Sequence, residues 1–534
     1  MSEAVAPSGR RLLVACAAGA LTLSWLLPLH VTWSSAPDLG HAWVVPVLMA
    51  YLYWERWDER PAALPRAGLG ARWWFFGAIL VAAHLPLRLL LTPFPLWPSL
   101  LGVYLLLLVL TALAGAWLIA GRAGVRWTAG PLILLVSTLP VPSALENAII
   151  LPLRQTWASL AAEISNLLGT PALALGTSVR IGNGWVGVDD ACGGIRSLQA
   201  CAMIALFFGE WYRFSVLRRL GLLGIGLAAA LLGNFARVVF LSLRASASPE
   251  ALEKAHDIAG WAAMAASMIA TGWLALHWNK YQWPSQQVRS ARASHAPINA
   301  QAWFATIALL FCLNELAARA WFALGERKTA ETPQWTAAMP SDHWSFRPST
   351  LPKVAREMLR PDVFEAGTWL DGDERVYSHY IEWRKGQVAR SIPFLHNPTV
   401  CLPLSGCELI ESLGSIAVTW RGGQLPFHVY KFRRSGEEIL VAFTIWDPSR
   451  GRPLQEIKTQ SWAEWWSMQW GEVREARSHQ PGQLLSVTLP WHDTTGPSRA
   501  RSFLEKLVVS VGDRPPIQPS FLKKPLAKHP IFTR

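Results

Sequence analysis

Three polar residues in strongly apolar surroundings carry the chemistry that this sequence could perform. Cys192 lies in VDDACGG, Arg237 lies inside the apolar run GNFARVVFLSL, and His256 follows in EKAHDIAGW. A thiolate attacks a peptide carbonyl, a histidine takes or returns the proton, and a fixed cation stabilises the tetrahedral oxyanion. We therefore take these residues as candidate catalytic groups for acyl transfer at a peptide bond.

Neighbouring residues are predicted to support these three. Asn234 lies one helical turn before Arg237 on the same face, and its side chain could hold the guanidinium by a hydrogen bond. Gly194 would let a substrate backbone approach Cys192 closely. Arg196, one turn after Cys192, either assists the thiolate, binds substrate, or is an arginine at the membrane boundary. The sequence leaves these alternatives open.

Each candidate also has a structural interpretation. A cysteine in a membrane helix is usually a small apolar filler, and we interpret Cys16, Cys201 and Cys312 in this way. A histidine at the end of a loop is usually an interfacial anchor. Arg237 is harder to explain structurally, because a charge inside a membrane-spanning helix is costly and usually marks a functional site.

The composition is typical of a membrane protein. Of the 534 residues, 51% are hydrophobic and only 16% are charged, whereas a soluble protein carries roughly 25% charged residues. About 20 apolar residues span a bilayer as a helix. We predict an all-α membrane domain with eight or nine spans, because two of the nine candidates are short. The candidates are residues 11–32, 39–54, 73–93, 97–120, 127–145, 197–212, 219–243, 256–278 and 301–323.

The distribution of Lys and Arg predicts the orientation. These residues occur in every second loop, at 10–11, 56–72, 122–126, 213–219 and 280–292. Basic loops face the cytoplasm, so the amino terminus is predicted to be cytoplasmic and the three candidate catalytic residues to lie near the outer boundary. The same rule accounts for the formal net charge of +13 without nucleic-acid binding.

Two other regions are predicted on the outer side. Residues 146–196 should form a re-entrant or interfacial helix followed by a short β-hairpin. Residues 326–534 alternate in strand fashion, in segments such as EILVAFTIW, and should form a soluble α+β domain rich in β structure. The Pro- and Lys-rich end is predicted to be disordered. The predicted domains are therefore 1–298, a last transmembrane helix at 299–325, and 326–534.

At the candidate catalytic residues the sequence resembles the exosortase/archaeosortase family of membrane cysteine transpeptidases, over about residues 110–280. The family pattern is a cysteine before a small residue and glycine, then Asn-x-x-Arg, then a histidine followed by glycine. It matches here at Cys192 with Gly194, at Asn234 with Arg237, and at His256 with Gly260. Gly193 departs from the serine more common in the family.

The resemblance implies a function and a location. Exosortases lie in the inner membrane of Gram-negative bacteria that make extracellular polysaccharide. They are thought to cut carboxy-terminal sorting signals of the PEP-CTERM type and to pass the new end to an acceptor. The implied partners are proteins with such signals, the lipid bilayer, and a lipid- or glycan-linked acceptor. Neither a metal nor an organic cofactor is expected.

The tail resembles the exosortase-associated domain, most closely at HNPTVCLPLSG. His396 and Cys401 stand where that family carries a histidine and a cysteine, whereas Cys407 replaces an aromatic residue. Either Cys401 is a second nucleophile with His396 or His428 as partner, or Cys401 and Cys407 form a disulfide, which the outer compartment permits. We favour a structural or substrate-docking role for this domain.

Two further functions compete with transpeptidation. An intramembrane protease would hydrolyse its acyl-enzyme instead of transferring it. A scaffold or transporter for exported polysaccharide would use Arg237 to bind an anionic group and would perform no chemistry. A transporter favours inverted repeats and helices broken at mid-membrane, and the sequence has neither pattern.

The predicted orientation is tested by labelling single-cysteine variants. With a membrane-impermeant maleimide, variants that retain only Cys192 or only Cys401 should be labelled from the outer side of intact membranes. A variant whose single cysteine is introduced at Ser290, in a predicted cytoplasmic loop, should react only after the membrane is opened. Inward labelling of Cys192 or Cys401 would overturn the topology.

Overall fold

The structure is a computed structural model. It describes residues 26, 28–34, 36–61, 71–142, 145–181, 184–187, 195–244, 249–279, 298–326, 335–338, 346–351, 355–356, 359–371, 374–383, 397–404, 407–434, 436–448, 450–453, 462–477, 481–492 and 495–511. Cys192, Gly194 and His396 lie outside the described residues, as do Cys16, most of the first predicted span and the predicted disordered end.

The chain divides into two compact units. The first comprises Met1–Ile149, Asp190–Arg237 and Glu253–Leu324, and the second comprises Ile150–Asp189, Val238–Leu252 and Gly325–Arg534.

Helices make up the membrane part of the chain. They are α1 (Val45–Glu55), α2 (Ala71–Leu91), α3 (Pro98–Leu132), α4 (Leu151–Leu167), α5 (Ile195–Trp211), α6 (Val216–Leu243), α7 (Pro249–Trp278) and α8 (Ile298–Glu326). Within the described residues, five helical stretches are long and apolar enough to cross a membrane. The predicted spans at 73–93, 219–243, 256–278 and 301–323 are confirmed as long apolar helices, but the count of eight or nine spans is not.

Two of the predicted spans belong to one helical stretch. Residues 98–138 form a single apolar stretch of 41 residues, which contains both the fourth and the fifth predicted segments. The stretch is broken at Gly121, whose φ of 60° and ψ of −143° are non-helical. A β-carbon at Gly124 would lie 2.3 Å from the Ala116 carbonyl oxygen, so the chain bends sharply here. Glycine permits this bend because it has no Cβ.

Three short segments pack side by side in the first unit. They are α1 with the 3-10 helix before it (Pro37–Val44), the end of the broken helical stretch, and α5. Their shared core contains Val45, Leu52, Leu134, Met203 and Phe207. Polar contacts hold one end of this layer. His41 Nε2 lies 2.9 Å from the Ser137 carbonyl oxygen, and Gln199 Nε2 donates to the Leu139 carbonyl oxygen at 2.8 Å.

A buried carboxylate holds the other end of the layer. Glu210, at the end of α5, accepts hydrogen bonds from Arg56 at 3.0 Å and from Arg219. Its side chain is only 4% exposed. Gly130 provides the space, because a β-carbon there would lie 2.5 Å from Glu210 Oε2. One carboxylate between two guanidiniums thus joins α1, α5 and α6.

The second unit begins with α4 and three short strands. The strands β1 (Ala172–Leu175), β2 (Ser178–Ile181) and β3 (Gly184–Gly187) form an antiparallel sheet in the order β1-β2-β3. Asn166 joins helix and sheet, since its side chain accepts from the Ala172 N–H at 2.7 Å and donates to the Ala172 carbonyl at 3.0 Å. The predicted hairpin is confirmed and extended by a third strand.

The tail is built on a large antiparallel sheet. Its strands are β5 (Phe346–Ser349), β6 (Val363–Asp371), β7 (Glu374–Trp383), β8 (Glu408–Trp420), β9 (Gly423–Arg434), β10 (Glu437–Asp447), β11 (Arg452–Pro453) and β12 (Gly482–Pro490). The order is β5-β6-β7-β12-β10-β9-β8, and β11 pairs with β10. A separate pair joins β4 (Trp335–Ala337) to β13 (Val508–Ser510), and the helices are α9 (Pro398–Leu404), α10 (Trp462–Arg474) and α11 (Gly496–Leu507).

Both faces of the central strand β10 are buried. Along β10, Leu440 and Ala442 enter the core that contains Leu504 of α11, whereas Val441 and Phe443 enter a second core on the opposite face. Successive side chains on a strand point to opposite faces, so a continuous apolar strand is required in the centre of a sheet covered on both sides. The predicted β-rich tail is therefore confirmed.

The buried carboxylate gives a stability prediction. Glu210→Gln keeps the side-chain shape but leaves Arg56 buried without a counterion, so we expect a loss of about 3–5 kcal/mol and a clearly lower thermal unfolding midpoint in detergent. The matched control is Glu59→Gln, since Glu59 pairs with Arg213 at 2.6 Å but both side chains are exposed to solvent. The control should cost about 0–1 kcal/mol; equal midpoint shifts would contradict the role of Glu210.

Candidate functional site

Arg237 and His256 lie in contact across two packed helices. Arg237, on α6, places Nη2 at 2.8 Å from Nε2 of His256, which lies near the start of α7. The guanidinium carries only donors, so Nε2 must accept this hydrogen bond. The structure thus joins two of the three predicted catalytic residues.

The contact assigns different roles to the two imidazole nitrogens. When Nε2 accepts from Arg237, Nδ1 is the nitrogen that can carry a proton. Nδ1 lies 3.5 Å from Oδ1 of Asp257, whose side chain is exposed. The site therefore places the guanidinium of Arg237 against an acceptor nitrogen of His256.

Gly260 leaves the space that the guanidinium of Arg237 occupies. A β-carbon at this position would lie 3.2 Å from Cζ and 3.3 Å from Nη2 of Arg237. Such contacts are tight, so a larger residue would require the guanidinium to shift by a few tenths of an ångström. This gives a physical reason for a glycine one turn after His256, which the sequence pattern alone did not provide.

Small residues hold α6 and α7 close together. A β-carbon at Gly233 would lie 2.9 Å from Ser267 Oγ and 3.3 Å from the Ala263 carbonyl oxygen. Ser267 Oγ is 2.8 Å from the Ala263 carbonyl oxygen and 3.1 Å from the Ala229 carbonyl oxygen across the interface. Small residues allow membrane helices to approach closely, where packing and hydrogen bonds replace the hydrophobic effect. This approach brings Arg237 within reach of His256.

The other predicted site residues have different placements. Asn234 is 3% exposed and lies one turn before Arg237, as expected, and its role in holding the guanidinium stays a prediction. Arg196 is exposed in the first turn of α5, so the thiolate, substrate and boundary interpretations all remain. Cys192 precedes α5 by three residues and lies outside the described part of the chain.

The tail cysteines differ from one another in burial. Cys407 is 4% exposed and packs in the core with Trp383 and Phe432, as a small apolar residue does. Cys401 is half-buried in α9. Both are thiols in this structure, so the disulfide alternative is not realised. His428 packs against the ring of Phe443, and a second nucleophilic site at Cys401 stays a prediction.

A buried ion pair between two apolar helices is not among the features predicted from the sequence. Arg88 of α2 contacts Glu315 of α8, with Nη2 at 3.0 Å from Oε1, and their side chains are 8% and 5% exposed. Arg319 Nε also lies 2.7 Å from Glu315 Oε1. The sequence does contain an arginine in HLPLRLLL and a glutamate in CLNELAAR. Because charges within apolar helices are expected to be paired, these two residues could have indicated the ion pair.

In the part of the chain that the structure describes, no three His, Cys, Asp or Glu side chains lie close enough together to bind a metal ion.

The close helix packing predicts opposite effects for two glycine substitutions. Alanine is about 1 kcal/mol better than glycine in a helix interior. Gly224→Ala enters open space on α6 and should raise the thermal unfolding midpoint slightly or leave it unchanged. Gly233→Ala displaces Ser267 and should lower it, by about 1–3 kcal/mol of stability. A midpoint raised by both substitutions would show that the helices do not approach as described.

Comparison with protein families gives one match. The protein-family model described as transmembrane exosortase matches residues 33–273, which include Arg196, Asn234, Arg237 and His256. Neither the curated proteins nor the solved structures give a match. The matched segment contains the Arg237–His256 contact and three of the long apolar helical stretches. We therefore assign residues 33–273 of this membrane protein to the transmembrane exosortase family.

Proposed function

We propose that this protein is a membrane cysteine transpeptidase that cleaves carboxy-terminal sorting signals and transfers the processed protein to an acceptor. The observation that carries the proposal is the 2.8 Å contact between Arg237 and His256 inside the family segment. Family membership supports a sorting transpeptidase. The expected signals are of the PEP-CTERM type, and a link to exopolysaccharide production is part of the proposal.

The proposed reaction assigns one role to each residue. The Cys192 sulfur forms a bond to the scissile carbonyl carbon, and Arg237 stabilises the oxyanion that develops on the carbonyl oxygen. His256 exchanges its contact with Arg237 for one with the thiol, takes the thiol proton at Nε2, and gives that proton to the departing amine as the C–N bond breaks. The acceptor nucleophile then attacks the thioester and releases the thiol, while its own proton returns through His256.

The orientation of Arg237 supports an oxyanion role. His256 accepts a hydrogen bond from the guanidinium and so holds it in place. A fixed cation stabilises developing negative charge most strongly where water is scarce. Arginine suits such a place better than lysine, whose ammonium group can lose its proton when it is buried.

The loop charges support an outer placement of the chemistry. By the rule that basic loops face the cytoplasm, residues 146–196 and 326–534 are predicted to lie on the outer side of the membrane. We propose that the protein lies in a bacterial inner membrane, with its amino terminus in the cytoplasm and its tail in the periplasm.

Trapping tests the proposal. The chain is co-expressed with a protein of the same genome that ends in a short motif, an apolar helix and several basic residues. Mass spectrometry should detect a thioester adduct at Cys192, and Cys192→Ala should abolish both adduct and cleavage while membrane insertion persists. Arg237→Lys should lower processing by roughly 100-fold or more, because a preorganised oxyanion contact contributes on that scale.

Other outcomes identify the competing functions. An adduct that releases only a free carboxylate would indicate a hydrolytic protease. An adduct at Cys401 would move the chemistry to the tail. Neither adduct nor cleavage, with a folded protein, would favour a scaffold or transporter, and near-normal processing by Arg237→Lys would remove Arg237 from the oxyanion role.

A further inference from the structure

The helix α8 contacts α2 through polar groups spread along its length. Near its start, Trp303 Nε1 donates to the Trp73 carbonyl oxygen at 2.9 Å. Further along, Asn314 Nδ2 donates to the Val81 carbonyl oxygen at 3.0 Å. The Glu315–Arg88 ion pair follows at once. These contacts extend over about 18 Å of helix at 1.5 Å per residue.

The apolar part of this interface is closely fitted. A β-carbon at Gly77 of α2 would lie 2.7 Å from Ile307 Cδ1, and one at Gly115 of α3 would lie 3.3 Å from the Phe304 ring. The Phe311 ring meets His84 edge-on, with ring centroids 4.3 Å apart. Trp303, Ile307 and Phe311 are all nearly fully buried. The glycines thus form sites that receive particular side chains of α8.

The ion pair makes the interface specific. Removing one partner of a buried pair leaves an uncompensated charge, and in a bilayer that charge is especially costly. Glu315 is held by two cations, since Arg319 binds the same carboxylate, and Arg88 also donates to Thr92 at 3.1 Å. One helical residue corresponds to a rotation of 100°, so a register shift would turn Glu315 away from Arg88.

The two partners of the pair lie on different sides of the family boundary. Arg88 lies within residues 33–273, whereas the whole of α8 lies beyond them. The family segment of this chain therefore carries a buried cation that is neutralised by a helix outside that segment. A helix that served only as a lipid-exposed anchor for the tail would need neither a buried carboxylate nor close packing of its aromatic side chains against glycines of other helices.

We propose that α8 is a docking helix, and that the surface of α2 and α3 defined by Arg88, Gly77 and Gly115 is a binding site for a membrane-spanning helix with a buried carboxylate. The interface holds α8 in place without the covalent connection at residues 280–297. The Arg88–Glu315 pair determines its register.

A cleavable full-length chain tests this proposal. Specific protease sequences are inserted after Gln287 and after Lys328, the purified protein is cleaved in mild detergent, and the amino-terminal fragment is captured by a tag. The second cut separates α8 from the tail, which belongs to the second compact unit. We expect the fragment that carries α8 to remain bound. Glu315→Gln should reduce its retention at least ten-fold. The matched control Glu59→Gln removes a carboxylate from an exposed ion pair outside this interface and should behave as the parent chain does.

Two further variants keep the test decisive if Glu315→Gln fails to fold. Gly77→Ala is milder and should weaken retention, because its β-carbon meets Ile307. Arg88→Glu combined with Glu315→Arg should recover at least part of the retention lost in Arg88→Glu. Release of the fragment from the cleaved parent chain, or full retention in a folded Glu315→Gln or Gly77→Ala protein, would overturn the proposal. These outcomes are independent of whether Cys192 forms an adduct.

Discussion

The cost of a charge in an apolar environment is the constraint on which the membrane part of this protein depends. Within the described residues, Glu210, Arg88 and Arg237 are each buried or half-buried among apolar helices, and each has a polar partner. In every case the partner comes from a different helix. Satisfying these charges therefore decides which helices must be neighbours, and apolar packing alone would leave that choice open, because lipid is as apolar as leucine.

The arginines Arg88 and Arg237 differ in the partner that the structure gives them. Arg88 contacts a carboxylate, and this ion pair joins α2 to α8. Arg237 contacts the imidazole of His256, which accepts a hydrogen bond from the guanidinium and orients it. The proposed oxyanion role requires a cation that is oriented before the reaction in this way.

The sequence predicts the elements well and their partners poorly. Long apolar runs identify α2, α6, α7 and α8, because a bilayer requires about 20 apolar residues. Short apolar or alternating segments identify β7 to β10 for an equally local reason. The Arg88–Glu315 contact joins residues 227 positions apart, and no local pattern encodes it. From the loop charges, Arg56 and Arg219 are expected only to set the orientation in the membrane. In the structure both also pair with Glu210. The break at Gly121 was predicted only as a loop between two spans.

Glycine is the feature that makes these pairings geometrically possible. Charged side chains are long, and a pair between two helices fits only where one backbone has no side chain in the way. Gly130 leaves room for Glu210 and Arg56, and Gly260 leaves room for Arg237. Because the β-carbon clearances at these positions are 2.5–3.3 Å, even alanine would displace the charged group. In the sequence such glycines look like helix-weakening residues with no role, yet their placement sets the distance between the helices and therefore the distance between Arg237 and His256.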